Sequence, residues 1–163
     1  MKKNQKGFSL IELLIVVVII GIIAAIAIPN LLASRRAANE ASAISSLRTI
    51  SGAEATYQTT LGQGNYGNLT DLQDGGLIDS VLGGGSKSGY QYDITPTARA
   101  ADQPAVYDAT AVPDQFGTGI SGTGTRSFYT NESGVIYSAQ DSSAPAATSS
   151  TDRKVTGGNP VNP

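Results

Sequence analysis

The chain has 163 residues, a formal net charge of −2, 40% hydrophobic residues, and neither cysteine nor histidine. That length fits one compact unit carrying a long helix, and the mildly acidic balance offers no electrostatic footprint for nucleic acid or anionic lipid. Without His or Cys the chain cannot build a Ser-His-Asp triad, a thiol nucleophile, a thiolate metal cluster or a c-type haem attachment, and its stability cannot rest on disulfides.

The chain opens with Lys2, Lys3 and Lys6, then Gly7-Phe8, then an apolar stretch interrupted early by Glu12. Leu13 to Ile28 is unbroken apolar sequence, and with Phe8 to Ile11 ahead of it the run reaches the ~20 residues of a membrane-spanning helix. A charged carboxylate inside such a run costs roughly 2.5–3.5 kcal/mol on insertion scales, so Glu12 calls for a partner. The basic flank ahead of the run orients it with a cytoplasmic amino terminus and a translocated carboxy-terminal bulk.

Gly7-Phe8-Ser9-Leu10-Ile11-Glu12-Leu13-Leu14 resembles the processing signature of type IV prepilins and type II secretion pseudopilins, and the resemblance continues through Ile28 into Pro29-Asn30. It implies a leader, 1–7, cut after Gly7 by a prepilin peptidase that also methylates Phe8. Loss of the three leader lysines takes the net charge from −2 to −5. It further implies that Glu12 pairs with the Phe8 amino terminus of a neighbouring subunit. Two buried opposite charges relieve each other's desolvation only in register, so the pair selects a docking geometry. The same resemblance implies loss of helicity between Gly21 and Pro29 in the assembled state. Its implied partners are further copies in a helical filament, the inner membrane, and a pilus or secretion assembly platform with its ATPase. Two other readings of the segment remain: a secretory signal cut near Ala25-Ile26-Ala27, and a plain signal anchor. The first does not explain Glu12, and the second makes Gly7 and Glu12 accidental.

Residues 8–29 are thus expected as the transmembrane and filament-core helix, and 30–61 as its amphipathic continuation. Ala37, Ala41, Ile44, Leu47, Ile50, Ala53, Tyr57 and Leu61 recur in steps of three or four, a helical stripe suited to holding a sheet. Arg35, Arg36, Asn39, Glu40, Arg48 and Glu54 lie between them and are expected on the exposed or subunit-facing side. A helix from Phe8 to about Leu61 would extend about 80 Å at 1.5 Å per residue. Pro29, lacking an amide donor, should kink or loosen it around Ala25 to Ile28.

After Leu61 the sequence breaks at Gly62-Gln63-Gly64-Asn65-Tyr66-Gly67, again at Gly75-Gly76, and again at Gly83-Gly84-Gly85. Leu69 to Leu82 reads as a connection with one or two helical turns started by Thr70 or Asp79. No Lys-Ser/Thr follows these glycines at the spacing of a phosphate loop. Strand-like runs follow at Tyr90 to Thr95, Ala105 to Thr110, Arg126 to Thr130 and Val135 to Ser138. The last two flank Asn131-Glu132-Ser133-Gly134 as a hairpin. Tyr90, Tyr92, Ile94, Val106, Phe128, Val135 and Tyr137 are the candidates for the inward face. The expected fold is α+β, a long amino-terminal helix packed against a small antiparallel sheet, with the head over 62–138.

Residues 139–163 are rich in Ser, Ala, Thr, Gly and Pro with few large apolar side chains, and read as a loose surface tail. Many type IV pilins close this region with a disulfide, so a cysteine-free chain must hold its end differently. Major pseudopilins bind calcium near here, and Asp141 and Asp152 could supply oxygens. No calcium-loop spacing is present, however, and solvated carboxylates are the preferred reading. The acids otherwise lie scattered in Gly- and Ser-rich loops, so the chain is read as non-enzymatic, with no catalytic, cofactor-binding or metal site. The expected function is a structural subunit, the major pilin of a type IV pilus for attachment, twitching motility or DNA uptake. The alternatives are a type II secretion major pseudopilin acting as a piston and a monomeric anchored binding domain.

Overall fold

The computed structural model describes residues 7–161, so the leader lysines lie outside the described residues. The chain divides after Ser34 into two compact units. Helix α1, Leu10–Thr60, runs through both.

In the first unit α1 is apolar all round and buries nothing: its large side chains from Leu10 to Ile28 are 51–83% exposed. Such a surface has no partner within its own unit. The helix keeps its hydrogen-bonded form through Gly21 and Pro29. Just beyond the proline, the Asn30 side-chain amide donates to the Ile26 carbonyl at 3.1 Å, an extra bond where proline removes one.

In the second unit α1 lies on a six-stranded sheet of order β1-β2-β3-β4-β5-β8, antiparallel throughout. The strands are β1 (Ser86–Lys87), β2 (Tyr90–Thr97), β3 (Val106–Pro113), β4 (Ser127–Asn131), β5 (Tyr137–Ala139) and β8 (Asn159–Pro160). A separate hairpin is formed by β6 (Ala146–Ala147) and β7 (Val155–Thr156). The expected α+β fold is the observed one. Between helix and sheet lie α2 (Leu69–Asp74), capped by Asn68, and α3 (Ser80–Gly83), capped by Asp79. Asp79 was an expected start; at the other, Asn68 takes the cap in place of Thr70. Asn68 and Asp71 bond reciprocally in a capping box, which satisfies two otherwise orphaned donors. Between β1 and β2, Ser88 and Gly89 both have positive φ, as a two-residue hairpin twisting with its strands requires.

The core is built from large residues opposite small ones. On β2, Tyr90, Tyr92 and Ile94 point inward. Tyr92 faces Ala111 and Ile94 faces Ala109 on β3, and Ala111 in turn faces Phe128 on β4. The small middle strand leaves depth for Ala43, Leu47, Ile50 and Ala53 of the helix, which belong to the same cluster.

Three expectations are corrected here. On β3 the inward set is Tyr107, Ala109 and Ala111, so Val106 is buried outside the main cluster. After the β4–β5 turn, Ile136 enters the core, while Val135 and Tyr137 stay half-buried and the Tyr137 ring lies tilted against Tyr129. Side-chain parity on a strand has period two, so a one-residue shift in where the strand begins exchanges the faces. On the helix, Ala37, Ala41 and Leu61 are exposed, whereas Glu40 and Glu54 are buried.

The segment expected as a loose tail is tied down. β8 pairs with β5, the Val161 amide donates to the Ile136 carbonyl at 2.8 Å, and Val161 packs against the core. Arg153 donates to both Glu132 oxygens at 2.7 Å, to Asp108 Oδ1 at 2.9 Å and to the Tyr107 carbonyl at 2.7 Å. Composition alone pointed to looseness because it counts apolar area, and this segment is held by backbone pairing and one many-armed guanidinium.

Candidate functional site

Ser9 precedes the first turn of α1, and its backbone N–H donates to Glu12 Oε2 at 2.9 Å. Ser9-Leu10-Ile11-Glu12 has the S-x-x-E spacing of a capping box, of which this bond is the half made by the acid. The S-x-x-E spacing carries that signal in the sequence itself, beside the expected partner outside the chain. The structure therefore brings Phe8, Ser9 and Glu12 together at the helix start, with Phe8 90% exposed and Gly7 also exposed. A carboxylate offers about four lone-pair sites, so the Ser9 bond leaves Glu12 able to accept a second donor.

Gly21 and Pro29 are not part of this cluster; they lie further along the same helix. A methyl group added at Gly21 would meet nothing within 4 Å, so packing inside the subunit does not require glycine there. What remains is backbone freedom or close approach from outside.

Two carboxylates on the head portion of α1 were missed as inward groups. Glu40 Oε1 accepts from the Thr125 amide and hydroxyl, both at 2.9 Å, and Oε2 accepts from Arg126 Nε and Nη2, both at 2.8 Å. Burial alone would raise its pKa, but the Thr125 and Arg126 donors outweigh burial and hold it below the ordinary carboxylate value. Glu54 is fully buried. Its Oε2 accepts from the Gly67 amide at 3.0 Å, while Oε1 has no protein donor. Desolvation pushes the Glu54 pKa up to about 7, opposed by the Gly67 bond and reinforced by the charge of Asp71. Gly67 is needed for this approach, since a Cβ there would sit 2.9 Å from Asp71 Cβ and 3.0 Å from the Tyr57 ring. The signal lay in the spacing, because Glu40, Ala43, Leu47, Ile50 and Glu54 form one stripe once polar residues are admitted to it.

Of the two possible calcium ligands, Asp141 accepts from the Ser142 hydroxyl and the Ser143 amide within its own turn. Asp152 lies in the β6–β7 turn, where its carbonyl accepts from Thr148. Among the described residues no group of three or more acidic side chains gathers at metal-holding range.

Comparison with known proteins places this geometry. Residues 2–28 match the family described as the prokaryotic N-terminal methylation motif. The type IV wide pilus major component PilA4 of Thermus thermophilus is 66% identical over 38 residues, 23% of this chain and 29% of that protein. The type IV major fimbrial protein FimA of Dichelobacter nodosus is 77% identical over 30 residues, 18% of this chain and 19% of that one. The type II secretion system core protein G of Aeromonas hydrophila is 35% identical over 57 residues, 35% of this chain and 40% of its own length. The chain therefore spans two fifths or less of the length of these relatives. No solved structure matches the chain. An exposed Gly7-Phe8 junction and a carboxylate at the start of an uncovered apolar helix accompany these matches, and in its amino-terminal segment the chain is similar to type IV pilins and type II secretion pseudopilins.

Proposed function

We propose that this chain is the major subunit of a type IV pilus, drawn from an inner-membrane pool into a helical filament. The observation that carries the reading is the first unit of α1, a spanning-length apolar helix with no side chain buried in its own subunit. Such a surface is stable only against lipid or against copies of itself, and a filament exchanges the one for the other. In this reading a peptidase cuts after Gly7 and methylates Phe8. Glu12 then accepts from the Phe8 amine of a neighbour, and the segment between Gly21 and Pro29 loosens on assembly. The head faces the periplasm before assembly and the exterior afterwards. The reading gives the chain no cofactor and no catalytic step. It extends to attachment, twitching motility or DNA uptake as the work of the filament.

The strong short matches to two major pilus subunits favour this over the secretion role. A second reading, a pseudopilin working as a secretion piston, is supported by the longer match to core protein G. Intact mass and amino-terminal sequencing of material sheared from cells, compared with membranes, separates them. Chains beginning at N-methylated Phe8 in the sheared fraction support the pilus. Chains beginning at Phe8 but confined to membranes favour the pseudopilin. Chains retaining Met1 or beginning at Ile28 overturn both.

A further inference from the structure

Among the described residues, Ile120 is the most exposed large apolar side chain of the second unit, at 85%. Its loop is not loose. The Gly122 amide donates to the Gly119 carbonyl at 3.0 Å, so residues 119–122 form a tight turn with Ile120 at its corner. A Cβ at Gly122 would collide with the Gly117 carbonyl, so that position has room for glycine alone. Helix α1 clamps both flanks of the turn. Arg36 Nη1 donates to the Thr118 and Gly119 carbonyls at 3.1 and 3.4 Å, and the Asn39 side-chain amide donates to the Thr123 carbonyl at 2.9 Å. A single exposed aliphatic residue is ordinary on a protein surface. What gives this one meaning is where the clamp holds it.

That place follows from chain length. In a single subunit Glu12 has no partner cation, and the least costly depth keeps its carboxylate at the inner headgroups. Residues 13–32 then lie in hydrocarbon, about 20 residues and ~30 Å of helix, the thickness of a bilayer core. Asn30 and Ser34, the polar side chains at the far end of this stretch, donate back to the Ile26 and Asn30 carbonyls at 3.1 and 3.0 Å, which lowers the cost of setting them there. Arg35 and Arg36 follow within about 6 Å of helix and fall among the outer headgroups. Neither is in an ion pair among the described residues, and a guanidinium suits lipid phosphate. The turn bearing Ile120 is bonded to Arg36 itself, so it stands at the same level.

We propose that Ile120 is an interfacial anchor: before assembly its turn lies in the outer headgroup layer of the inner membrane, with the side chain at the acyl boundary and Arg35 and Arg36 on lipid phosphate. The occupant is lipid because the site continues a membrane-length apolar helix and sets an aliphatic tip beside unpaired cations, the composition of an interfacial contact. The inference rests on the inner-membrane pool of the filament reading. It adds a second contact with lipid, which a subunit must give up along with that of the spanning helix when it enters a filament.

The test uses the absence of tryptophan from the chain. I120W places one reporter at the turn of the full chain. L61W serves as reference, since Leu61 is 54% exposed and follows the end of α1, ~36 Å of helix beyond Arg36. Each is reconstituted in vesicles of phosphatidylethanolamine and phosphatidylglycerol with part of the lipid brominated near the acyl carbonyl, and flotation with the vesicles reports insertion. I120W should emit at shorter wavelength and lose at least about half of its emission to bromine, with L61W unquenched. Adding R36A, which frees the turn from α1, should remove most of that quenching. An inserted I120W quenched no more than L61W overturns the proposal and leaves the inner-membrane pool standing. A shorter emission wavelength without quenching also overturns it, and assigns the turn to a protein neighbour. Quenching unchanged by R36A overturns the clamp as what holds the turn at lipid. Failure of the wild-type chain to float with vesicles overturns the membrane reading itself.

Discussion

Glu54 carries a carboxyl whose ordinary value of 4.5 is pushed up to about 7 by burial. Between those values the folded chain holds a proton that the unfolded chain has released. This contribution is therefore fully present below about pH 4.5 and lost as pH rises through about 7. Replacement by glutamine keeps a carbonyl for the Gly67 amide and removes the titration. E54Q should melt near the wild type at pH 5 and higher than it at pH 8. The difference should be on the order of 3 kcal/mol at most, readable by thermal unfolding of the full chain in detergent at both pH values. An equal offset at both pH values would mean that Glu54 does not titrate in this window. Glu40, with neutral Thr125 donors on Oε1 and the Arg126 guanidinium on Oε2, is shifted the opposite way, below the ordinary carboxylate value. The two acids share a stripe and a residue type, and only what packs over each separates them.

The carboxy-terminal elements depend on different forces from the sheet's centre. β2, β3 and β4 are held by paired backbones over a large-small-large core, whereas the β6–β7 hairpin joins the head through Arg153. Removing that guanidinium leaves Glu132 and Asp108 facing each other without a cation. R153A should expose residues 140–157 to proteolysis at least roughly tenfold faster than the wild type, with β2–β4 intact, as read by limited digestion and mass mapping. Cutting at the wild-type rate would show that β8 pairing alone holds the end. The helix offers the complementary case. Pro29, expected to kink or loosen α1, lies inside the continuous helix Leu10–Thr60, with Asn30 adding a side-chain bond to the preceding turn. The single subunit is helical between Gly21 and Pro29, and the loosening is a proposal for the assembled state alone.

For the whole molecule, the Glu12 arrangement separates export from assembly. Ser9 already donates to this carboxylate within one subunit, and Gly7 is exposed. E12A should be cut after Gly7 and should enter the membrane, but should yield at least about tenfold fewer filaments, because the buried amine of the next copy would lose its counter-charge. Normal filament yield from E12A, measured in sheared fractions against membrane-retained chain, would sink the pairing argument. Failure to be processed would place Glu12 in peptidase recognition instead.

Residue order alone determined the spanning-length apolar run, the long helix and the antiparallel sheet. Each is a local or periodic property: hydropathy over about twenty residues, or a period of 3.6 or of two. The side of each element that turns inward was less legible. Glu40 and Glu54 were set on the wrong face because apolar residues alone were followed, and Ile136 displaced Val135 because strand onset sets parity. The order of the carboxy-terminal segment was hidden for a related reason. Its anchor, Arg153, meets Asp108 and Glu132 from distant parts of the chain, and no window of sequence contains that contact. Burial and charge pairing between remote residues are decided only when the elements pack, because a carboxylate's partner and its dielectric surroundings are both supplied by neighbours in space.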